Sequence, residues 1–326
     1  MRKLRNEDDF NELIRNVRAA SALLAWAEAG HLQTLLEGAV KLESLEGDSR
    51  ALEITAEVLA LLGVVQRHGD EVMLTPAAAD MVRSGVFADA SGSRLLGDLG
   101  RLREVIARGG PVHNEQGEER DSRIGVRESD PESVRTFMEM LDRRSVNSAA
   151  FTADAISAHL PEGASVLDLG GGHGRYGREF AHRGHPSTLF DLPSCIALAR
   201  ERHGSALDYR AGDFFKDELG GPYGAILMSN IVHGLGEDQI VHLLERAGAS
   251  LSSDGLIVVK DMFIDPMGSG PDNAVVFGMV MLLYTQQGRS YRLDRLTALA
   301  RRAGLEPASV EYSSAADFAL AMYTPA

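Results

Sequence analysis

The chain has 326 residues, 44% of them hydrophobic, and a formal net charge of −14. That length and apolar content suffice for two cored domains, while the acidic balance argues against nucleic acid or an anionic membrane as the main partner, because either requires a concentrated basic surface. Cys195 is the one cysteine, which leaves neither an intrachain disulfide nor a cysteine-based metal cluster.

Residues 1–9 have no apolar segment behind their basic side chains, so no export signal is expected. The longest apolar run, 274–284, is interrupted by Gly278 and is too short for a bilayer span. The expectation is a soluble, cytoplasmic protein with no membrane partner.

Leu13, Val17, Ala20, Leu24 and Ala27 recur at three- and four-residue steps and predict an amphipathic helix over 13–28 that Gly30 ends. A short helix is expected over 31–40. Asp48 or Ser49 then caps a helix over 50–62, closed by Gly63. Strands at 64–67 and 72–74 flank a turn at 68–71, and Thr75-Pro76 opens a further helix. Helices followed by a β-hairpin predict a winged-helix-like domain. The helix before the wing offers Arg50 against Glu53 and Glu57, so packing or dimerisation is expected of it rather than DNA binding.

The pattern weakens over 84–130, where Gly109-Gly110-Pro111 and the polar run 113–123 read as loop. Asp130-Pro131-Glu132 starts a helix whose Phe137, Met138, Met140 and Leu141 form apolar surface, either plain core or the floor of a flexible pocket. From 164 onward, strands at 164–169, 187–191, 206–210, 224–229 and 255–260 alternate with helices at 174–184, 194–203 and 237–251. That alternation predicts a parallel sheet with helices on both faces. Helices at 271–287 and 293–303 and strands at 308–312 and 318–323 complete the chain, and the two late strands suggest an antiparallel edge.

Chemistry collects at the strand ends, where an open parallel sheet binds its ligand. The first strand runs into Asp168-x-Gly170-x-Gly172-x-Gly174, where missing side chains let the backbone approach a ligand and a helix N-terminus offers free amides. The same glycines satisfy the dinucleotide pattern, so they do not name the ligand. The second strand ends at Asp191, placed to accept both hydroxyls of a ribose or to cap the next helix. The third ends in Gly212-Asp213-Phe214-Phe215, a carboxylate for an adenine amino group beside a ring for the purine face, or an ordinary loop aspartate beside core phenylalanines. His233, after the fourth strand, can take the proton of a phenol or enol, with Asp261 fixing its tautomer; its structural alternative is packing at the next helix start. His182 and His185 lack a third metal ligand, Cys195 reads as a packed residue, and Trp26 as core or interface.

This ordered set, with Phe190-Asp191-Leu192-Pro193 and Ser229-Asn230-Ile231-Val232-His233, resembles the S-adenosylmethionine-dependent small-molecule O-methyltransferases, the plant caffeic-acid type and its bacterial antibiotic-tailoring relatives. The resemblance implies an α/β fold: a class I methyltransferase Rossmann-like doubly wound sheet with an N-terminal, mostly helical, winged-helix-like dimerisation domain. It implies boundaries at 1–105 for dimerisation, 106–150 for linking segments contributing to the acceptor pocket, and 151–326 for the catalytic domain. It also implies a small-molecule acceptor, a homodimer and S-adenosylhomocysteine as product. Asp168, Gly170, Gly172, Gly174, Asp191, Leu192, Asp213, Phe214 and Ser229 would bind the cofactor, His233 would be the general base, and Asp261 would orient it. Met140, Leu141, Phe277, Met279, Met281 and Tyr284 are candidates for the acceptor pocket, and no metal is implied.

Two departures stand out. The family's histidine is followed by Asp-Trp, here by Gly234-Leu235, and the segment carrying a second catalytic acid in the plant enzymes reads Gln287-Gly288-Arg289-Ser290-Tyr291-Arg292. A carbon acceptor, or a relative that keeps the cofactor without methylating, therefore stands beside oxygen methylation. A nicotinamide oxidoreductase would explain Asp191 but not Asp213-Phe214.

Overall fold

The computed structural model describes residues 3–87, 92–113, 117, 131–265, 267, 270–313 and 317–326. It divides into two units, Met1–Arg103 and Glu104–Ala326. Most of the polar run expected as loop at 113–123 lies outside the described residues, as does Asp130.

In the first unit, α1 (Glu7–Glu28) starts where the Asn6 side chain accepts the Asp9 amide at 2.9 Å, and it ends ahead of Gly30 at φ 76°. The helix expected over 31–40 is shorter: α2 (His31–Thr34) passes into a 3₁₀ turn, and Gly38, at φ 136°, releases the chain into β1 (Val40–Lys41). Asp48 caps α3 (Ser49–Leu61) by accepting the Ala51 amide at 2.9 Å. Strands β2 (Val65–His68) and β3 (Glu71–Leu74) form the expected hairpin, with β1 added antiparallel to β3. Thr75 caps α4 (Pro76–Arg83). Trp26, Leu32, Leu59 and Val72 centre the core. The stretch read as irregular holds two helices, α5 (Gly92–Leu99) and α6 (Leu102–Arg108); at seven or eight residues, each carries too few apolar repeats to display a period.

The second unit begins within α6 and continues with α7 (Pro131–Arg144) and α8 (Val146–Ser157). The sequence reading missed α8, whose buried stripe of Ala149, Ala153 and Ile156 is small-residue surface with a weak hydrophobic signature. Strands β4 (Val166–Leu169), β5 (Ser187–Asp191), β6 (Asp208–Ala211), β7 (Tyr223–Ser229) and β8 (Leu251–Asp261) pair in parallel. Strands β9 (Leu305–Tyr312) and β10 (Ala319–Pro325) close the edge antiparallel, in the order β6-β5-β4-β7-β8-β10-β9. Strand order reverses between β4 and β7, the point at which a crevice opens beyond the strand ends.

Near-continuous burial along β4 and β7 requires cover on both faces. Leu167, Ile226 and Val259 face one way, toward Leu243 and Leu244 of α11 (Glu237–Ala249) and Leu296 of α13 (Leu293–Arg302). Val166, Leu227 and Val258 face the other, toward Ile156 of α8 and Tyr176 and Phe180 of α9 (Arg175–His182). The remaining helices are α10 (Pro193–His203), after β5, and α12 (Asp272–Tyr284), after β8.

Phe180 is fully buried in the second cluster, so Phe180→Ala should cost about 3–5 kcal/mol in urea unfolding. Leu61→Ala, at an 87% exposed position, should stay within about 0.5 kcal/mol of the parent.

Candidate active site

The glycine turn leaves β4 with Gly170 at φ 69° and Gly172 at φ 51°. A Cβ at Gly170 would lie 2.6 Å from Ile231 and 3.4 Å from the Phe214 ring, and one at Gly172 would lie 2.9 Å from the Met138 sulfur. A side chain at either position would displace these neighbours and meet the strain of a positive φ. Asp191 spans the turn: its Oδ2 accepts the Gly172 amide and its Oδ1 the Leu192 amide, each at 2.7 Å. The N-cap of α10 is Leu192, not Asp191, so the helix-cap alternative for this aspartate does not hold. Asp213 is half-buried after β6, accepting the Phe215 amide at 2.9 Å and facing Lys216 at 2.8 Å. The Lys216 hydrogen bond, outweighing partial burial, keeps its carboxyl below the usual range.

Asp168 is fully buried beneath the turn. Its Oδ2 accepts the Gly177 amide at 3.0 Å, while its Oδ1 has no partner. Burial pushes this carboxyl up to about 7; the Gly177 amide opposes the rise and the charge of Asp191 adds to it. Ser229, at the end of β7, also holds a buried hydroxyl without a partner.

His233 sits on a 3₁₀ turn, Val232–Gly234, which follows Asn230 at φ 58°. Asparagine tolerates that left-handed conformation, and the reversal brings the imidazole against the end of β8. His233 Nδ1 lies 2.8 Å from Asp261 Oδ1, and its backbone amide donates to Asp261 Oδ2 at 3.3 Å. Burial works against ionisation of Asp261, but His233, the Met262 amide and Lys260 together bring its pKa below the usual carboxylate value. An ionised carboxylate only accepts, so Nδ1 carries the proton, and the tautomer this selects has Nε2 as its acceptor. The Arg289 amide donates to the His233 carbonyl at 2.7 Å, and the Phe277 ring meets the imidazole edge-on at 5.0 Å.

The six acceptor-pocket candidates separate. Phe277, Met281 and Tyr284 share one face of α12 at helical spacing, whereas Met279, two residues from Phe277, turns away and is 36% exposed. Met279 thus stands on a different face of α12 from the other three. Leu141 packs with Val134, Met138 and Cys195, a core role, and Met140 is half-buried on the same helix.

The sequence reading missed a buried relay from the turn to α7. The Arg175 amide donates to His173 Nδ1 at 3.1 Å, which leaves Nε2 to donate to Ser145 Oγ at 3.3 Å, and that hydroxyl donates to the Leu141 carbonyl at 2.7 Å. Burial holds His173 down at about 4, so it stays neutral. Asp142 accepts both guanidinium nitrogens of Arg175 at 2.7 Å and pairs with Arg202 at 2.8 Å. Asp142 on a helix and Arg175 after a glycine turn carry no motif, and only the fold joins them.

A doubly wound sheet with a glycine turn and a carboxylate-held histidine at its switch point defines a nucleotide-binding α/β enzyme. The chain belongs to the O-methyltransferase domain family, which it matches over residues 117–306. It is 35% identical over 169 residues to 3-hydroxy-5-methyl-1-naphthoate 3-O-methyltransferase of Streptomyces sahachiroi, covering 49% of this chain and 48% of that protein. It is 28% identical over 252 residues to the tetracenomycin polyketide synthesis 8-O-methyl transferase of Streptomyces glaucescens, covering 72% and 71%. The chain thus aligns with about half the length of the first relative. Human N-acetylserotonin methyltransferase in complex with SAM superposes with a TM-score of 0.78 at 20% identity over 100% of this chain and 99% of that one, a likeness of fold. No helix among the described residues is long and apolar enough to cross a membrane.

Asp168 generates a pH-dependent cost. The native chain retains a proton that the unfolded chain releases between about pH 4 and 7, so stability falls as pH rises through that window. Asp168→Asn, whose side-chain oxygen can still accept the Gly177 amide, should raise stability by on the order of 2–4 kcal/mol at pH 8 and change it little below pH 4. Thermal melts at the two pH values check this.

Proposed function

We propose that this chain transfers a methyl group from S-adenosylmethionine to an oxygen of a small aromatic or polyketide-like acceptor, with His233 as general base. The observation that carries the reading is the His233–Asp261 pair, 2.8 Å apart at the end of β8, with the imidazole Nε2 left as acceptor beside the Phe277 ring. The naphthoate and polyketide relatives support the acceptor class. The glycine turn and the partnerless buried oxygens of Asp168 and Ser229 fit the cofactor.

The cofactor supplies a methyl group already activated on a sulfonium. The protein's part is alignment and proton removal. Asp191 takes the ribose hydroxyls beside Leu192, Asp213 and Phe214 take the adenine, and the backbone at Gly170, Gly172 and Gly174 admits the rest. His233 Nε2 accepts the proton of the acceptor hydroxyl, and Asp261 stabilises the imidazolium that results. Phe277, Met281 and Tyr284 give the acceptor an apolar wall, with Met140 on α7. Holding nucleophile and methyl in line is the larger contribution, and base catalysis the smaller.

The same reading takes residues 1–105 as a dimerisation domain. Phe10, Leu13 and Val17 lie along α1 at three- and four-residue steps and are 51%, 40% and 48% exposed, an apolar stripe for a second copy. Residues 106–150 contribute to the acceptor pocket and 151–326 hold the cofactor.

His233→Ala should lower kcat by about 10²–10⁴ and leave S-adenosylhomocysteine affinity unchanged, whereas Asp191→Ala should abolish that affinity. Calorimetric titration and a methyl-donor assay on hydroxylated aromatics test both. Failure of the wild-type chain to bind S-adenosylhomocysteine would refute the reading.

A further inference from the structure

The end of β8 carries a second charged residue that the proposed chemistry leaves unused. Lys260 is 4% exposed, and the two-residue period of the strand sends it to the face opposite Asp261. Its Nζ lies 4.2 Å from the Phe318 ring centroid and 5.6 Å from that of Tyr176. It donates to Asn230 Oδ1 at 3.4 Å, a long hydrogen bond for a group with three donors. No carboxylate among the described residues forms an ion pair with it.

A buried ammonium that feels the adjacent Asp261 charge but has no carboxylate at ion-pair distance is costly, and the aromatic faces recover only part of its lost hydration. The same sheet face has a complementary shortage. Ser229, which pairs with Lys260 in register, and Asp168 on β4 lie on that face with Val166, Leu227 and Val258, and each keeps a buried oxygen without a partner. Three adjacent strand ends thus present a carboxylate, a hydroxyl and an ammonium, the two charges on strands about 10 Å apart. The pattern is complementary to a zwitterion: an ammonium for Asp168 and a carboxylate for Lys260.

We infer that Lys260 binds the α-carboxylate at the methionine end of the cofactor while Asp168 takes the α-ammonium. This rests on the cofactor reading above and deepens it by giving each charge of the amino-acid end its own residue. Lys260 is a binding and positioning residue; it neither gives nor takes a proton in the reaction. Fixing the amino-acid end fixes the direction in which the sulfonium methyl faces His233, so loss of the charge should raise the cofactor KM more than it lowers kcat.

The test compares S-adenosylhomocysteine with its decarboxylated analogue by calorimetry, on the wild-type chain and on Lys260→Met, which keeps the stem and removes the charge. A charge-assisted contact predicts that the wild type prefers the carboxylate ligand by about tenfold or more, and that Lys260→Met binds the two alike. 5′-Methylthioadenosine, which lacks the whole amino-acid end, should bind both chains equally. Equal weakening of all three ligands in Lys260→Met would mean a packing role and overturn the inference, as would a carboxylate preference that survives the substitution. Should Lys260→Met not fold, the wild-type comparison still decides, since no preference for the carboxylate ligand overturns it. Failure of the cofactor reading is distinguishable, because the wild type would then bind none of the three.

Discussion

Strand alternation at the end of β8 is the constraint on which the site depends. Successive residues of a strand point to opposite faces, so Lys260 and Asp261, adjacent in sequence, serve different compartments. Asp261 turns toward the helices of α11 and α13 and holds His233, and Lys260 turns toward α8 and α9, where Tyr176 and Phe318 flank it. A one-residue slip in the pairing of β7 with β8 would exchange the two and place a lysine against the histidine. The register of five consecutive pairs from Ala225 to Ser229 against Leu256 to Lys260 is therefore as much a part of the chemistry as the side chains.

Burial of unpartnered polar atoms follows a single logic across the crevice. Natural interiors leave few such atoms, and here Asp168 and Ser229 supply two on one face, at the ends of neighbouring strands. Both oxygens lower the stability of the chain, and in the proposed reading they are the ones a ligand meets. Asp168 shows the cost most clearly, since burial, together with the nearby charge of Asp191, lifts its carboxyl to about 7 against the pull of the Gly177 amide. The surroundings bear that cost through rigidity elsewhere: Asp142, Arg175 and Arg202 tie α7 to the turn, and the neutral His173 locks the turn to Ser145.

The alternating part of the fold was legible because its signals are long and redundant. Four of the five parallel strands end at or beside a glycine or an acid, which leaves little freedom in placing the crevice, and Asp168, Asp191, Asp213 and His233 all lie at or just after strand ends. What the sequence concealed depends on geometry that no local pattern encodes. α8 hides behind alanines, α5 and α6 are too short to show a period, and Gly38 ends a helix that the apolar residues alone would extend. Met279 shares its chemistry with Met281 but not its angle around α12, a difference that residue type alone does not show. The relay from Arg175 through His173 to Ser145 spans residues 145 to 175 and exists only once α7 packs over the turn.

The missing second acid also has a physical account. The segment from Gln287 to Arg292 supports the histidine through its backbone, with the Arg289 amide donating to the His233 carbonyl. A Cβ at Gly288 would lie 2.4 Å from that same carbonyl oxygen, so the close approach needs glycine. Ser290 follows, buried to 5% exposure with its hydroxyl unpartnered, so a carboxylate in its place would be a buried charge without a partner. With one carboxylate, the proton on His233 Nδ1 has a single strong acceptor and the tautomer is fixed without competition. In the proposed reaction the base thus keeps its orientation, and the strength of base assistance rests on Asp261 alone. In that proposed reaction, acceptors whose hydroxyl is already acidic, as in a phenol conjugated to a carbonyl, would be served best, because their proton is lost with the least help.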